Sequence, residues 1–209
     1  MAVTVPSFRR PHFLQRALQS VQAQRGARPA RVVVVDDGSR DGTAGLARDF
    51  GAEVIEKPQN EGLSRARQDA LAATEGVEWL ALLDDDDQWL PHHLATVWAH
   101  RGDHVIVAGT AAIHYPRGWR AHGPSREAPE VVRGPGRLFF PENPFTTSAV
   151  LVRRDMLLAA GGFDPRLAYL EDIDAWLRVL ELGTGLLLPE VTCLYSVHDA
   201  QMTQDRPAM

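Results

Sequence analysis

The chain contains a single cysteine, Cys193, so it cannot close an intramolecular disulfide. A lone thiol agrees with a reducing compartment. No apolar run is long enough to cross a bilayer, and the longest are strand-sized. The opening Met1 to Pro6 leads into Arg9 and Arg10, not into an apolar signal core. These absences predict a cytoplasmic protein with no transmembrane segment, leaving peripheral membrane contact open. There is no basic excess either. The net charge is −5, so nothing draws the chain generally to nucleic acid or anionic lipid, and nucleic acid is not an expected partner. No repeat and no linker divides the 209 residues, which predicts one domain over 1–209 with enough chain to bury a core.

What is present begins with an alternation of strand and helix signals. Ala2 to Pro6 reads as a short buried strand. Pro11 suits the first turn of a helix, in which Leu14, Ala17, Leu18 and Val21 recur at helical spacing. Val32 to Val35 is a β-branched run of the kind buried on both faces of a parallel sheet. Asp36-Asp37-Gly38-Ser39 ends it as a turn, with Asp41 placed to cap a short helix through Leu46, Ala47 and Phe50. Val54 and Ile55 make a third strand, Leu63 to Thr74 a helix stopped near Gly76, and Trp79 to Leu83 a fourth strand. Pro91 to His100 then reads as a helix, and Val105 to Ala108 as a strand. This order predicts an α/β fold with a doubly wound, mostly parallel sheet flanked by helices.

Such sheets bind ligands beyond the carboxyl ends of their strands. Three of those ends carry special residues: Pro6-Ser7, Asp36-Asp37 and Asp84-Asp85-Asp86-Asp87. The fold is expected to bring them to one edge. Four adjacent carboxylates repel each other, and a divalent cation relieves the repulsion. Hard oxygen ligands favour Mn2+ or Mg2+, ions that also hold phosphate. Read as extended chain, the run turns Asp84 and Asp86 toward one site and Asp85 and Asp87 away from it. Away from a strand end, the same run would read as a solvated turn opening the next helix.

The second half changes texture. Tyr115 to Pro144 is rich in Pro, Gly and Arg and reads as a long surface excursion, a lid or recognition loop. Ala149 to Val152 reads as a strand, followed by a helix ended by Gly161-Gly162 and a second helix from Leu170 to Leu182. Trp176, Leu177 and Leu180 form the expected buried face of that second helix. Thr192 to Val197 reads as a last strand with Cys193 in its core, and the polar tail 199–209 as partly disordered. His92 and His93 are expected on the surface, without the spacing of a zinc site.

The motifs together resemble the inverting family 2 glycosyltransferases of the GT-A fold. Val3 to Arg10 is similar to that family's first strand and loop, with Phe8-Arg9 in place of the usual Tyr-Asn. Val35-Asp36-Asp37-Gly38-Ser39-Arg40-Asp41-Gly42-Thr43 is similar to its second-strand signature. Asn60 to Arg67 resembles the start of its third helix, with Gln68 where Asn is usual. Leu83-Asp84-Asp85-Asp86-Asp87 matches the Asp-X-Asp element, and Gly161-Gly162-Phe163-Asp164 and Glu171-Asp172 match two later ones.

The resemblance implies roles. Asp37 would bind the base, through the uracil N3–H, and Pro6 and Ser7 would lie beside base and ribose. Arg67 would belong to the donor site, and Asp84 would contact ribose or sugar. Asp86 would be a metal ligand and Asp172 the catalytic base. His198, after the last strand, would meet the metal or the diphosphate. The implied cofactor is Mn2+ or Mg2+. The implied partners are a nucleotide-sugar donor, UDP-sugar favoured, and a hydroxyl acceptor: a glycan, a lipid-linked sugar or a small molecule. Residues 1–110 would form the nucleotide-binding half and 111–198 the acceptor-binding half.

Two other functions fit the same sheet. A nucleotidyltransferase needs a glycine-rich loop after the first strand, and Ser7 to Pro11 contains no glycine. A non-catalytic nucleotide-sugar binder would have no use for both the acidic run and Glu171-Asp172, yet the chain retains both.

Overall fold

A computed structural model describes residues 1–115, 118–121, 126–137 and 143–198. Ten strands among these residues form one sheet, with the path β3-β2-β1-β4-β9-β6-β10-β5. The strands are β1 Ala2–Ser7, β2 Arg31–Asp36, β3 Glu53–Glu56, β4 Trp79–Leu82, β5 Gln88–Trp89, β6 Ile106–Tyr115, β7 Gly118–Ala121, β8 Glu130–Arg133, β9 Val150–Arg153 and β10 Thr184–Ser196. The helices are α1 Pro11–Gln22, α2 Thr43–Asp49, α3 Leu63–Ala73, α4 His93–Ala99, α5 Arg154–Ala159 and α6 Glu171–Glu181.

The first four strands run parallel, as expected from the alternation. β1 lies between β2 and β4, so the winding reverses there and opens a crevice at the carboxyl ends. Beyond β4 the sheet is mixed: β9 is antiparallel to both β4 and β6, while β10 runs parallel to β6.

The pleat divides the core. Val3, Val5 and Val34 face α1 and α2, meeting Leu14, Leu18, Val21 and Ala47; Leu94 and Val97 of α4 join the same cluster. On the other face Ala2, Leu80 and Leu82 pack with Leu71, Leu157, Phe163 and Trp176 from α3, α5, the loop after α5, and α6. Trp176 also donates its indole N–H to the Phe145 carbonyl, so the largest side chain of α6 is buried with its polar atom satisfied. Trp176 and Leu180 occupy the expected buried face, Leu177 is partly buried, and Cys193 lies in the core of β10.

Several sequence expectations give way. β10 begins at Thr184 instead of Thr192, and its register shifts on both sides of Val191, where Pro189-Glu190 interrupts the apolar pattern. β6 runs on from Ala108 to Tyr115 because β10 pairs with it over that length. The stretch read as a surface excursion contains β7 and β8, paired antiparallel to β6 and β10. The rest of that excursion, at 116–117, 122–125 and 138–142, lies outside the described residues, as does the tail 199–209. His93 is not on the surface. It is fully buried, stacked on Trp89 at 4.4 Å and bonded to Thr192 Oγ1 at 2.9 Å, because β10 covers the start of α4. Burial lowers its pKa to about 3, so it is neutral. His92 is exposed, as expected.

Candidate active site

The parallel ladder fixes what meets at the crevice. Ser7 pairs with Asp36, and Asp36 with Glu56, at the ends of β1, β2 and β3. One step further, the Asp37 amide donates to the Ser7 carbonyl and the Lys57 amide to the Asp36 carbonyl. Lys57 is thereby set beside Asp37. On the other side of β1, the Leu83 amide bonds the Thr4 carbonyl and delivers the acidic run to the same edge. The result is a cavity of about 270 Å³, lined among others by Pro6, Ser7, Asp37, Asp84, Asp85 and Asp86. Asn60, Gly62, Leu63 and Ala66 complete one wall, and Phe8, Arg10 and Tyr195 another part of the lining.

Asp37 is held from behind. Its carboxylate accepts the amides of Glu61 at 3.1 Å and Gly62 at 2.8 Å, and Lys57 Nζ sits 2.9 Å from Oδ1. This approach depends on Gly38, at φ +82, where an added Cβ would stand 2.6 Å from the Gln59 carbonyl carbon and 2.8 Å from the Asn60 nitrogen. Only a bare backbone lets residues 57–62 close onto the Asp37 turn. The N-cap of α2 is Gly42, at φ +90, and not the expected Asp41, which stands one residue earlier and accepts from the Thr43 amide at 3.1 Å.

The acidic run is a turn, not extended chain. The Asp87 amide bonds the Asp84 carbonyl at 3.1 Å. The expected alternation therefore fails at Asp85, which also lines the cavity, accepting from Ser7 Oγ at 2.6 Å. Asp87 does turn away, into the core, where it accepts from Ser148 Oγ at 2.5 Å and the Ser196 amide at 2.9 Å. Burial and the neighbouring Asp86 charge push the Asp85 carboxyl up to about 7. Burial and Asp84 likewise raise Asp86, and burial raises Asp87 further. Arg10 offsets part of this repulsion, with Nη1 2.9 Å from Asp86 Oδ2 and 3.5 Å from Asp85 Oδ1.

His198 does reach this cluster. Its Nε2 lies 3.1 Å from Asp86 Oδ2, and its ring stacks on Phe13 at 4.4 Å. Carboxylate oxygen plus imidazole nitrogen, at the rim of an open cavity, suits a hard divalent cation that takes its remaining ligands from phosphate and water. Among the described residues no group of three His, Cys, Asp or Glu is arranged as a complete protein cage.

Arg67 lies just beneath the cavity and is 5% exposed. One nitrogen donates to Asp84 Oδ1 at 2.6 Å and the other to Glu171 Oε1. Glu171, read from sequence only as half of an acidic pair, is thus a structural partner of Arg67. Burial raises its pKa even against the Arg67 charge. Asp172 is half-buried and accepts from Thr147 Oγ1 at 3.0 Å and Asn143 Nδ2 at 3.2 Å. It is not among the residues lining the cavity. Arg9, Arg40 and Leu170 are the non-glycine residues with positive φ among those described, and they adjoin Arg10, Ser39 and Glu171.

Sequence reasoning missed Arg10, Lys57 and Ser148. Lys57 had a usable signal, since it follows the strand paired with β2. Arg10 and Ser148 act through contacts 75 and more residues and about 60 residues away in sequence, with no local pattern.

The profile described as Glycosyl transferase family 2 matches residues 2–159. Among curated proteins, the chain is similar to the N-acetylglucosaminyl-diphospho-decaprenol L-rhamnosyltransferase of Mycobacterium tuberculosis, 27% identical over 241 residues, covering 95% of this chain and 75% of that protein. The amylovoran biosynthesis glycosyltransferase AmsE of Erwinia amylovora is 27% identical over 192 residues, covering 87% and 70%. An uncharacterized protein of M. tuberculosis is 27% identical over 211 residues, and the chain spans 90% of its own length and 64% of that relative's. The fold is shared with S. aureus TarS 1–349 in complex with UDP-GlcNAc, at TM-score 0.82 and 20% identity, covering 99% of this chain and 61% of that one. It is also shared with the mannosyltransferase PcManGT from Pyrobaculum calidifontis in complex with GDP-Man and Mn2+, at TM-score 0.71 and 20% identity, covering 95% and 57%. These structures make the fold GT-A-like.

Proposed function

The chain belongs to glycosyl transferase family 2, and from that premise we propose that it moves a sugar from a nucleotide-diphosphate donor, by preference a UDP-sugar, to a hydroxyl acceptor with inversion at the anomeric carbon. The observation that carries this reading is the cavity at the switch point of the sheet, where Pro6, Ser7, Asp37, Asp84 and Asp86 converge. TarS holds UDP-GlcNAc and PcManGT holds GDP-Man and Mn2+ in the same fold, which supports a nucleotide sugar as the ligand. The rhamnosyltransferase relative is named for a lipid-linked acceptor, which supports a glycan or lipid-linked sugar here.

Asp37 accepts the ring N–H of the base, with Pro6 and Ser7 beside base and ribose. Arg67 holds Asp84 toward the ribose or sugar. Asp86 and His198 would hold Mn2+ or Mg2+, which when bound supplies the positive charge that a departing diphosphate needs. The acceptor oxygen attacks the anomeric carbon as its bond to the diphosphate breaks, and the electron pair leaves with the diphosphate. Asp172 takes the acceptor proton as general base. Residues 1–110 supply the nucleotide side and 111–198 the acceptor side of one domain, with Tyr195 and His198 returning to the nucleotide cavity. No helix among the described residues is long and apolar enough to cross a membrane. The lone, buried thiol of Cys193 suits a reducing compartment and supports a cytoplasmic reaction.

A second reading, a nucleotide-sugar binder without catalysis, is favoured by one observation: Asp172 does not line the cavity. Calorimetry tests the shared premise of both. Asp86→Ala should abolish Mn2+-dependent UDP binding, and undiminished binding would remove the metal role from this site.

A further inference from the structure

We propose that Lys57 is a positioning residue that sets the base preference of the site, by holding Asp37 so that one acceptor position remains for the ligand. This rests on the reading of Asp37 as the base-binding residue. Lys57 is 8% exposed, follows β3, and is not among the residues lining the cavity, so it stands behind Asp37 instead of facing a ligand. Its Nζ lies 2.9 Å from Asp37, 2.8 Å from Glu61 and 3.3 Å from Asp69. Burial pulls the ammonium toward neutrality, but the three carboxylates outweigh it and raise its pKa, so the charge stays in place.

An ionised carboxylate offers about four lone-pair sites. At Asp37, the Glu61 amide is shared between both oxygens, the Gly62 amide takes Oδ2, and the Lys57 ammonium sits against Oδ1. Roughly one site is left over. Uracil presents one ring N–H between two carbonyls, which a single acceptor satisfies. Guanine presents a ring N–H and an exocyclic amine side by side, and needs both oxygens. With Oδ1 occupied, the second guanine donor would be desolvated without a partner, a costly arrangement. The ammonium therefore discriminates against guanine while fixing the carboxylate for uracil.

The test compares UDP and GDP dissociation constants by calorimetry in the full chain with Mn2+. Wild type should prefer UDP. Lys57→Met should lower the UDP:GDP preference by roughly tenfold, the scale of one buried contact to a charged group. Because that variant leaves three carboxylates without their cation, it is also made together with Glu61→Gln and Asp69→Asn, which remove two of the stranded charges. The Glu61→Gln/Asp69→Asn parent should keep the wild-type preference, and adding Lys57→Met should lower it as before. In an Asp37→Ala background Lys57→Met should change the ratio no further. A wild-type protein that binds GDP as tightly as UDP defeats the uridine reading and this proposal with it. A wild-type preference that survives Lys57→Met unchanged, or that falls equally without Asp37, overturns the role of Lys57 alone.

Discussion

Replacing Gly38 with alanine tests how the base end of the cavity is built. The residue sits at φ +82, and an added Cβ would meet the Gln59 carbonyl carbon at 2.6 Å, the Gln59 Cα at 2.7 Å and the Asn60 nitrogen at 2.8 Å. All three are backbone atoms, so no rotamer change relieves the overlap. Non-bonded carbons rest near ~3.5–4 Å, so residues 59–60 would have to retreat by about 1 Å. The left-handed conformation costs an alanine roughly 1–2 kcal/mol, and overpacking typically adds about 1–3 kcal/mol. A loss near 3 kcal/mol is therefore expected, roughly, in urea unfolding at unchanged m-value. The retreat also carries the Glu61 and Gly62 amides away from Asp37, so UDP affinity should fall by about tenfold or more. Gly45→Ala is the internal control. Gly45 lies within α2 with nothing near its missing Cβ, so alanine there should stabilise by about 0.5–1 kcal/mol. A Gly38→Ala protein within about 0.5 kcal/mol of wild type and with unchanged UDP affinity would refute the reasoning.

Two other outcomes follow from the same geometry. Ser148→Ala removes the hydroxyl partner of both Asp87 Oδ2 and the Asp84 amide, leaving Asp87 the Ser196 amide, and should cost about 1–3 kcal/mol in urea unfolding while weakening Mn2+-dependent UDP binding. Asp172→Asn should lower turnover by about 10²–10⁴ at unchanged UDP affinity, since the side-chain shape and the Thr147 contact persist; near-normal turnover would remove its role as base.

Much of the nucleotide side was legible in the sequence because its signals are local. The valine run of β2, Pro11 at the start of α1 and the apolar strand before Asp84 each dictate their own conformation, and parallel winding then brings their ends together. The turn of the acidic run was not legible, since four identical residues carry no phase. Ser148 and Ser196 decide it by drawing Asp87 into the core from far along the chain. The burial of His93 was hidden for a similar reason: an imidazole at a helix start looks solvated until β10 covers it. In the second half, Pro189 and the shifted register near Val191 break the period that would have announced β10, and Val131-Val132 is too short a signal to announce β8.

The central claim, sugar transfer with inversion, is tested most directly by following the wild-type protein with UDP-sugars, Mn2+ and a panel of hydroxyl acceptors by NMR. The account predicts UDP release coupled to a product whose anomeric configuration is opposite to that of the donor. A product of retained configuration would contradict the mechanism, and tight UDP-sugar binding with no UDP release across the panel would contradict transfer itself.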